Sequence, residues 1–590
     1  MSSKFNILWL RPEAPTVSTE DIGEKTSNDK DAAVHDTAAD VSDSDAISED
    51  AQAGVRDIEA MTLVWTKQHL YGAYIAIWFI YFVDAMQQSM SNSLLPFVTS
   101  SFYSHSLTPV VGILSSLIGG LFKLPLAKII DIWGRPQGFC LMLFCLVIGL
   151  ITMAACDGVK SYAAGQVFYW VGYNGLTYVM GVFIADTSSL RNRSLMFAFA
   201  SSPYLITTWI GGPIATGFLN GPGWRWGYGA FSIITPFICS PLIWLFYVNY
   251  RKAHEAGLIP KRESNRTFAQ SLKYYAIEFD IFGVLLIATG LALFLLAFSI
   301  YSYQTLLWKA PIIICFLIIG GLLCIAFVFW EMYAPKTFIP YKLLVDRTVL
   351  GACLLAAIIF VSFYIWDGYF YSFLLVVNGL TVTEASYVSY TYTMGSCLFS
   401  FVVGYFVRLT GRFRWIALWF GVPLTALGIG LMINFRQPDV NIGYIVMCQV
   451  FIAVAGGALV ITEQMAVMAA TTHQNIAVVL AIEAMFSSVG GAIGSTVASA
   501  IWTSTFPQRL AVNLPAESLA DLPNIYASIT EQLAYPVGSP TRHAIAQSYG
   551  ESQRYMLIAA TALHVLSFAS VWMWKDIDVN KRKQVKGMVI

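Results

Sequence analysis

The sequence predicts an all-α polytopic membrane protein, with fourteen transmembrane helices in two pseudo-symmetric six-helix bundles and two extra central helices. Three observations predict it. Hydrophobic residues make up 57% of 590 positions and Asp, Glu, Lys and Arg only 12%, about half the charged share usual in soluble proteins. Apolar runs of about 20 residues, enough to cross a bilayer, recur along most of the chain. Short motifs from the first half return in the second at a nearly constant offset. This composition excludes a disordered chain and an ordinary soluble enzyme. With 35 basic against 35 acidic residues, no nucleic acid or other polyanion is implied as partner.

Residues 1–68 begin the chain as an acidic tail. Residues 1–60 hold fourteen acidic and five basic residues, and no basic start followed by an apolar core marks a secretory signal. Spans follow near 71–98, 108–127, 138–156, 162–185, 195–218 and 228–248, a first bundle over 69–249. Residues 250–345 carry a basic loop and two additional spans, 281–301 and 309–331. A second bundle over 346–575 has spans near 349–375, 384–407, 415–434, 441–469, 476–503 and 555–574, and 576–590 form a basic tail. Lys and Arg concentrate on the side that holds Lys128, Arg135, Arg191, Arg193, the 251–273 loop, Arg408, Arg412 and Arg414. The positive-inside rule then puts both termini in the cytoplasm. All nine Cys lie in or at the edge of spans, so no disulfide framework is expected. No P-loop, HExxH or metal-ligand spacing occurs, which implies no ATPase, no enzyme, no cofactor and no bound metal.

Asp84 in span 1 returns as Asp367 in span 9, and Gln166-Val167-Phe168 returns as Gln449-Val450-Phe451, both 283 residues on. Asp131-x-x-Gly134-Arg135 returns as Arg408-x-x-Gly411-Arg412, 277 on, and Gly211-Gly212 has an echo in Gly490-Gly491. Two like halves of six helices point to a secondary transporter with its site at the repeat interface near the midplane.

Ionisable residues inside spans cost about 3 kcal/mol or more and are expected to have a task. Asp84, Asp367, Glu463 and Glu483 are the candidate proton carriers. Lys123, near the inner end of span 2, is expected to snorkel to the interface. Span 4 offers Trp170, Tyr173 and Asn174, and span 9 offers Tyr364, Trp366 and Tyr369, as polar-tipped aromatic surface for a ligand. The last exterior loop, 504–553, is too long for a bare connector. It is expected to be a lid presenting Tyr526, Tyr535 and Tyr549. Arg542 there would hold an anionic group or pair with Glu551. Ser539-Pro540 is expected to start a short helix within it.

Asp131-x-x-Gly134-Arg135 resembles the loop between helices 2 and 3 of the major facilitator superfamily, with Ala127 and Pro136 departing from its pattern. Gly212-Pro213 with Gly217 resembles the helix-5 motif of its proton-linked members. A narrower likeness covers most of residues 70–575. Trp133-Gly-Arg-Pro-Gln-Gly138, Val171-Gly-Tyr-Asn-Gly175, Ala185-Asp-Thr-Ser-Ser-Leu-Arg-Asn-Arg193, Trp224-Arg-Trp-Gly-Tyr228 and Leu522-Pro-Asn-Ile-Tyr526 resemble the fungal siderophore–iron transporters. That resemblance implies proton-driven import of ferric siderophores; the Tyr, Trp and Asn surface suits hydroxamate complexes, and a monomer in the plasma membrane or an internal vesicle membrane is expected. It makes Asp131, Gly134, Arg135, Arg408, Gly411 and Arg412 gating residues. Iron enclosed in its chelator requires no iron ligands from the protein. The alternative is a fourteen-span proton antiporter exporting drugs or glutathione, whose helix-5 motif Gly212-Pro213 also resembles.

Overall fold

The computed structural model describes residues 53–101, 117–257, 267–301, 304, 306–334, 341–472, 475–527 and 529–581. The acidic tail through residue 52, the first part of the span expected near 108–127, residues 258–266 of the 251–273 loop and the basic residues after Lys581 lie outside them. The described elements are helices. In chain order they are α1 (Ala53–Val64), α2 (Lys67–Ser101), α3 (Lys123–Ile132), α4 (Arg135–Ala154), α5 (Val159–Thr187), α6 (Leu190–Ser201), α7 (Tyr204–Asn220) and α8 (Trp224–Glu255). Next come α9 (Phe268–Glu278), α10 (Ile281–Ile300), α11 (Pro311–Tyr333), α12 (Arg347–Asp367), α13 (Phe370–Val376) and α14 (Val382–Thr410). The chain closes with α15 (Arg414–Phe435, including a π turn at Ala417–Gly421), α16 (Ile442–Ala469), α17 (Ile476–Asn513), α18 (Leu522–Ala527), α19 (Ile529–Ala534), α20 (Pro540–Ala562) and α21 (His564–Trp572).

Among the described residues, twelve helical stretches are long and apolar enough to cross a membrane. The span expected near 108–127 is described only from residue 117. The span expected near 195–218 is interrupted at Ser202-Pro203, between α6 of 12 residues and α7 of 17. Proline lacks the N–H that would continue the ladder, and its ring crowds the preceding turn.

The sequence repeat reappears in the packing. In the first half α2 packs on α7 and α8, and α4 on α5 and α8. In the second half α12 packs on α17, α20 and α21, and α15 on α16 and α20. Helices α10 and α11, the pair left over by the repeat, pack on each other, with α10 also against α17. The halves meet along two matching seams, α14 against α6 and α7, and α3 against α17.

Glycine sets the closest of these approaches. A Cβ on Gly490 would stand 2.4 Å from the Ala357 carbonyl oxygen, and one on Gly494 2.5 Å from that of Val361. In the first half Gly149 and Gly172 set the α4–α5 approach, with a Cβ 2.4 Å from the Tyr169 nitrogen and 2.3 Å from the Leu146 nitrogen, and in α7 the tight position is Gly211, against the Ser89 hydroxyl of α2 at 2.0 Å. Gly212 and Gly217 have no atom within 4 Å of a Cβ. Of the expected helix-5 motif, then, neither glycine is the contact that packs α7 on α2, and Pro213 sits inside α7.

The long exterior loop is shorter than expected. Helix α17 runs on to Asn513 and α20 begins at Pro540, so helices take up both ends of 504–553. Ser539 does cap a helix, its Oγ accepting from the Arg542 N–H at 3.2 Å with Pro540 in the first turn. That helix is the start of the final membrane helix, not a separate short one. The intervening residues fold into a 3-10 turn (Ala516–Asp521), α18 and α19.

Helix propensity favours alanine over glycine by about 1 kcal/mol, so Gly217→Ala and Gly490→Ala differ only in what the new methyl meets. Thermal unfolding of the solubilised protein is expected to show Gly217→Ala unchanged or slightly stabilised. Gly490→Ala, which forces a helix pair apart, is expected to lose about 1–3 kcal/mol.

Candidate functional site

Between α3 and α4 the chain turns on Gly134, whose φ of +114° suits only glycine. The turn delivers Arg135 into a buried site. Its Nη1 donates to Asp131 Oδ1 at 2.9 Å and to the Ile130 carbonyl at 3.0 Å, and its Nε donates to Asp186 Oδ2 at 2.9 Å. All three charged side chains are almost wholly buried. Asp186, at the end of α5, is a partner that reading the 131–135 motif alone missed; it lies inside the Ala185–Arg193 stretch. The second-half counterpart is built differently. Arg408 is exposed, and its carbonyl accepts from Arg191 Nε at 3.2 Å. Arg412 pairs with Asp576 at 3.1 Å at the surface. Gly411 has φ +70°, and its carbonyl accepts from the Val579 N–H at 2.9 Å, docking the segment after α21.

Asp84 lies in mid α2 and is 1% exposed. Neither carboxyl oxygen has a hydrogen-bond partner among the described residues. Around it, within electrostatic reach, stand Tyr81 of the same helix, Tyr169 and Tyr173 of α5, Tyr204 of α7 and Cys239 of α8. The Tyr173 and Tyr204 hydroxyls are 2.8 Å apart, and Tyr204 also donates to Gln88 Oε1 at 3.4 Å. Of the other α5 candidates, Trp170 donates to Gln166 Oε1 at 3.0 Å, and Gln166 donates in turn to the Tyr162 hydroxyl at 2.8 Å. Asn174 donates to the Trp170 carbonyl at 2.9 Å and lies against Gly119.

Asp367, its repeat partner, has a different environment. Arg436, which lies between the spans expected near 415–434 and 441–469, is 1% exposed. Its guanidinium lies 4.6 Å from the Phe370 ring centre and 5.4 Å from that of Phe373, donates to the Trp366 carbonyl at 2.6 Å, and is within electrostatic reach of Asp367. Asp367 is thus the counter-charge of a buried cation, where Asp84 has none. Trp366 is 2% exposed and packs on Phe363, Phe370 and Tyr392, a core position. Tyr369 stacks on Trp502 at 4.3 Å, and Tyr364 lies against Gly491 and Gly494 of α17.

Glu463 of α16 and Glu483 of α17 are both buried and lie within electrostatic reach of each other, and Ser487 Oγ donates to Glu483 Oε1 at 3.4 Å. Lys123 does not simply snorkel: it heads α3, half-buried, within electrostatic reach of Glu483.

A cavity of about 210 Å³ opens between α7, α14 and α16, lined by Thr208, Trp209, Tyr387, Val388, Tyr390, Thr391, Met394 and Val446. It has polar-tipped aromatics and no charged side chain. None of the six expected ligand residues lines it, though Tyr204 is one helical turn from Thr208. The Trp209 and Tyr387 rings, 5.0 Å apart, bridge the two halves here. Among the described residues no group of three His, Cys, Asp or Glu could hold a metal ion.

Two of the four lid residues stand elsewhere. Tyr549 is on α20, 2% exposed, donating to Gln532 Oε1 at 2.8 Å. Arg542 neither faces the exterior mouth nor pairs with Glu551, which bonds Arg509 at 3.3 Å. Its guanidinium donates to the carbonyls of Val376 (2.9 Å), Leu375 (3.2 Å) and Gln532, tying the C-terminal end of α13 to α19. Those orphan helix-end carbonyls occupy the donors an anion would need. Tyr535 is half-buried and donates to Asp521 Oδ2 at 3.4 Å. Tyr526 packs toward Phe506 at 6.3 Å.

Removing one partner of a buried charge pair costs about 3–5 kcal/mol. Asp367 is only half-buried and makes no direct ion pair with Arg436, so Asp367→Asn is expected to lower the thermal stability of the solubilised protein by less than that, about 1 kcal/mol. Adding Arg436→Met should recover most of the loss. Equal stability of Asp367→Asn and parent would show that Arg436 does not depend on this carboxylate.

Residues 77–380 match the Major Facilitator Superfamily. The chain is 60% identical over 547 residues to MFS siderochrome iron transporter 1 of Ajellomyces capsulatus, covering 92% of this chain and 93% of that one. It is 43% identical to the siderophore iron transporter mirB of Emericella nidulans (98% and 95% covered) and 45% identical to MFS siderochrome iron transporter B of Aspergillus fumigatus (98% and 94%). Among solved structures, the human organic anion transporter MFSD10 aligns with a TM-score of 0.52 at 12% identity, over 85% of this chain and 99% of that one, a likeness of fold. The chain belongs to the Major Facilitator Superfamily and, within it, to the family of the fungal siderophore iron transporters.

Proposed function

We propose that this protein imports ferric siderophore complexes of hydroxamate type, coupled to protons, through the plasma membrane, as a monomer with both termini cytoplasmic. The names of relatives that match nearly the whole chain support the cargo. The observation that carries the coupling is Asp84, a carboxyl buried among helices with no cation and no hydrogen-bond partner among the described residues. A carboxyl so placed is favoured in its protonated form and can take up and release a proton when water reaches it. The Tyr173–Tyr204 hydroxyl pair links its surroundings toward the cavity wall at Thr208.

The cavity suits the cargo in chemistry but not yet in size. A complex that wraps iron in its own oxygens presents a bulky, oxygen-rich surface, matched by Tyr, Trp and Thr better than by a charged clamp. At about 210 Å³ the space is below the roughly 300–1,000 Å³ of pockets for drug-sized ligands. Helices α7 and α14 must part, and Trp209 and Tyr387 separate, before cargo is admitted.

The test is uptake of radiolabelled iron from a siderophore panel, in a host without its own siderophore transporters. Accumulation is expected from hydroxamate complexes and is expected to stop with a protonophore. Asp84→Asn, which keeps size and hydrogen bonding but cannot exchange a proton, is expected to reach the membrane and accumulate no iron. Uphill uptake that persists without the proton gradient would refute the coupling. Efflux of drugs or glutathione in place of uptake would refute the direction.

A further inference from the structure

Residues 573–581, past α21, form a strap in which Trp574, Ile577 and Val579 are buried while Lys575, Asp576, Asn580 and Lys581 are exposed. Its polar contacts pin it to the second half. Lys575 Nζ pairs with Asp346 Oδ2 at 2.9 Å, the Lys575 N–H donates to Thr348 Oγ1 at 3.1 Å, and Asp576 pairs with Arg412. The Asp578 carboxylate accepts from the Asn580 N–H at 3.0 Å, a local turn that curls the tip of the strap. The tip closes on Gly411. The Val579 N–H donates to the Gly411 carbonyl at 2.9 Å, and a Cβ on Gly411 would collide with Asp578 Oδ1 and stand 2.5 Å from Asn580 Nδ2.

The same tip reaches across to the first half. The turn Val579–Lys581 packs on α6, and Val579 within it is 1% exposed. This is the end of the seam where α6 and α14 are shut together. Ser194 Oγ of α6 donates to the Gly404 carbonyl of α14 at 3.3 Å, and Arg191 Nε donates to the Arg408 carbonyl at 3.2 Å. A Cβ on Gly404 would stand 3.2 Å from the Leu195 nitrogen, so the two helices meet backbone to backbone. The repeat-related turn in the first half is also clasped, from the N-terminal side. A Cβ on Gly54 of α1 would stand 2.5 Å from the Ile130 carbonyl oxygen and 2.8 Å from the Gly134 nitrogen. Helix α1, however, packs on α3 and α8, both in its own half. Of the two clasps, the strap is the one that spans the halves.

We propose that the strap 573–581 is a latch on this gate, pinned to the second half and seated on α6 through Val579. Ion pairs and hydrogen bonds hold it to the second half, and apolar packing holds its tip to the first. When α6 and α14 separate, the strap travels with the second half and the α6 contact is the one that parts. Val579 is then left in water, a cost that the closed seam does not bear. The latch thus biases the seam toward its closed form. This hold, which rests on the transporter function proposed above, acts on the gate through residues outside the membrane helices and is independent of cargo and of Asp84.

Ser194, 1% exposed where α6 meets α14, is the reporter position. In full-length chains carrying Ser194→Cys, a membrane-impermeant maleimide is applied in vesicles to the face of the membrane that holds the strap. Modification is counted at residue 194 alone, so native thiols do not enter. Adding Val579→Asp is expected to raise the rate at least about fivefold, because an unpaired aspartate does not stay buried against α6. Gly411→Ala presses on the strap from its other side, since its methyl would meet Asp578 and its φ of +70° disfavours alanine. It is expected to raise the rate in the same way and decides the matter by itself if Val579→Asp does not fold. Thermal unfolding of the same solubilised chains separates a parted gate from a loosened fold. Equal rates with the strap intact and altered would overturn the latch, as would a rise confined to chains whose thermal stability has collapsed. The measurement uses no siderophore, so its outcome is separate from the identity of the cargo.

Discussion

A charge carried into an apolar helix bundle is costly unless another charge, a proton or a set of dipoles compensates it. The inner architecture of this protein follows from how each buried ionisable group meets that constraint. Arg135 meets it with two carboxylates, Asp131 and Asp186, and so fixes the turn between α3 and α4 to the end of α5. Arg436 meets it with the field of Asp367, the faces of Phe370 and Phe373 and the Trp366 carbonyl. Arg542 uses helix-end carbonyls. Glu483 accepts from Ser487 Oγ, and Glu463 is buried beside it. Asp84 has no described partner at all, and a proton is the compensation left to it.

The two halves use the same helix pairings for different chemistry. Asp84 and Asp367 share a repeat position, but the second has a guanidinium for company and the first a ring of phenols. Asp131-x-x-Gly134-Arg135 and Arg408-x-x-Gly411-Arg412 share spacing, but one is a buried ion triad and the other an exposed turn to which the segment after α21 docks. The halves share a scaffold and differ in the charges placed in it: a lone carboxyl at Asp84 in the first half, and in the second a carboxylate near Arg436 and two buried glutamates.

Much of the scaffold was legible in the sequence because apolar run length and charge asymmetry report directly on the bilayer. The repeat was legible too, since Asp84/Asp367 and Gln166/Gln449 keep one offset. What could not be read was which residues meet across the bundle. Arg436 stands between two apolar spans, so its position in the chain looks like a loop; only the fold turns it inward. Trp366 reads as a ligand residue from its aromatic neighbours in the chain, and those same neighbours bury it. Lys123 near a span end looks free to snorkel until α17 is placed beside it. The loop 504–553 was overlong because Phe506, Leu510 and Tyr549 continue helical faces beyond the membrane-length runs, a pattern that span counting discards.

The central claim is that ferric siderophore and protons move together through a bundle in which Asp84 is the unpaired carboxyl. The most direct measurement is proton flux into proteoliposomes holding the purified protein and a lumenal pH dye, with no imposed gradient, after external ferric hydroxamate siderophore is added. The account predicts lumenal acidification that follows siderophore accumulation in the native protein and is absent in Asp84→Asn. Siderophore entering without any proton movement, or the same acidification in Asp84→Asn, would contradict it.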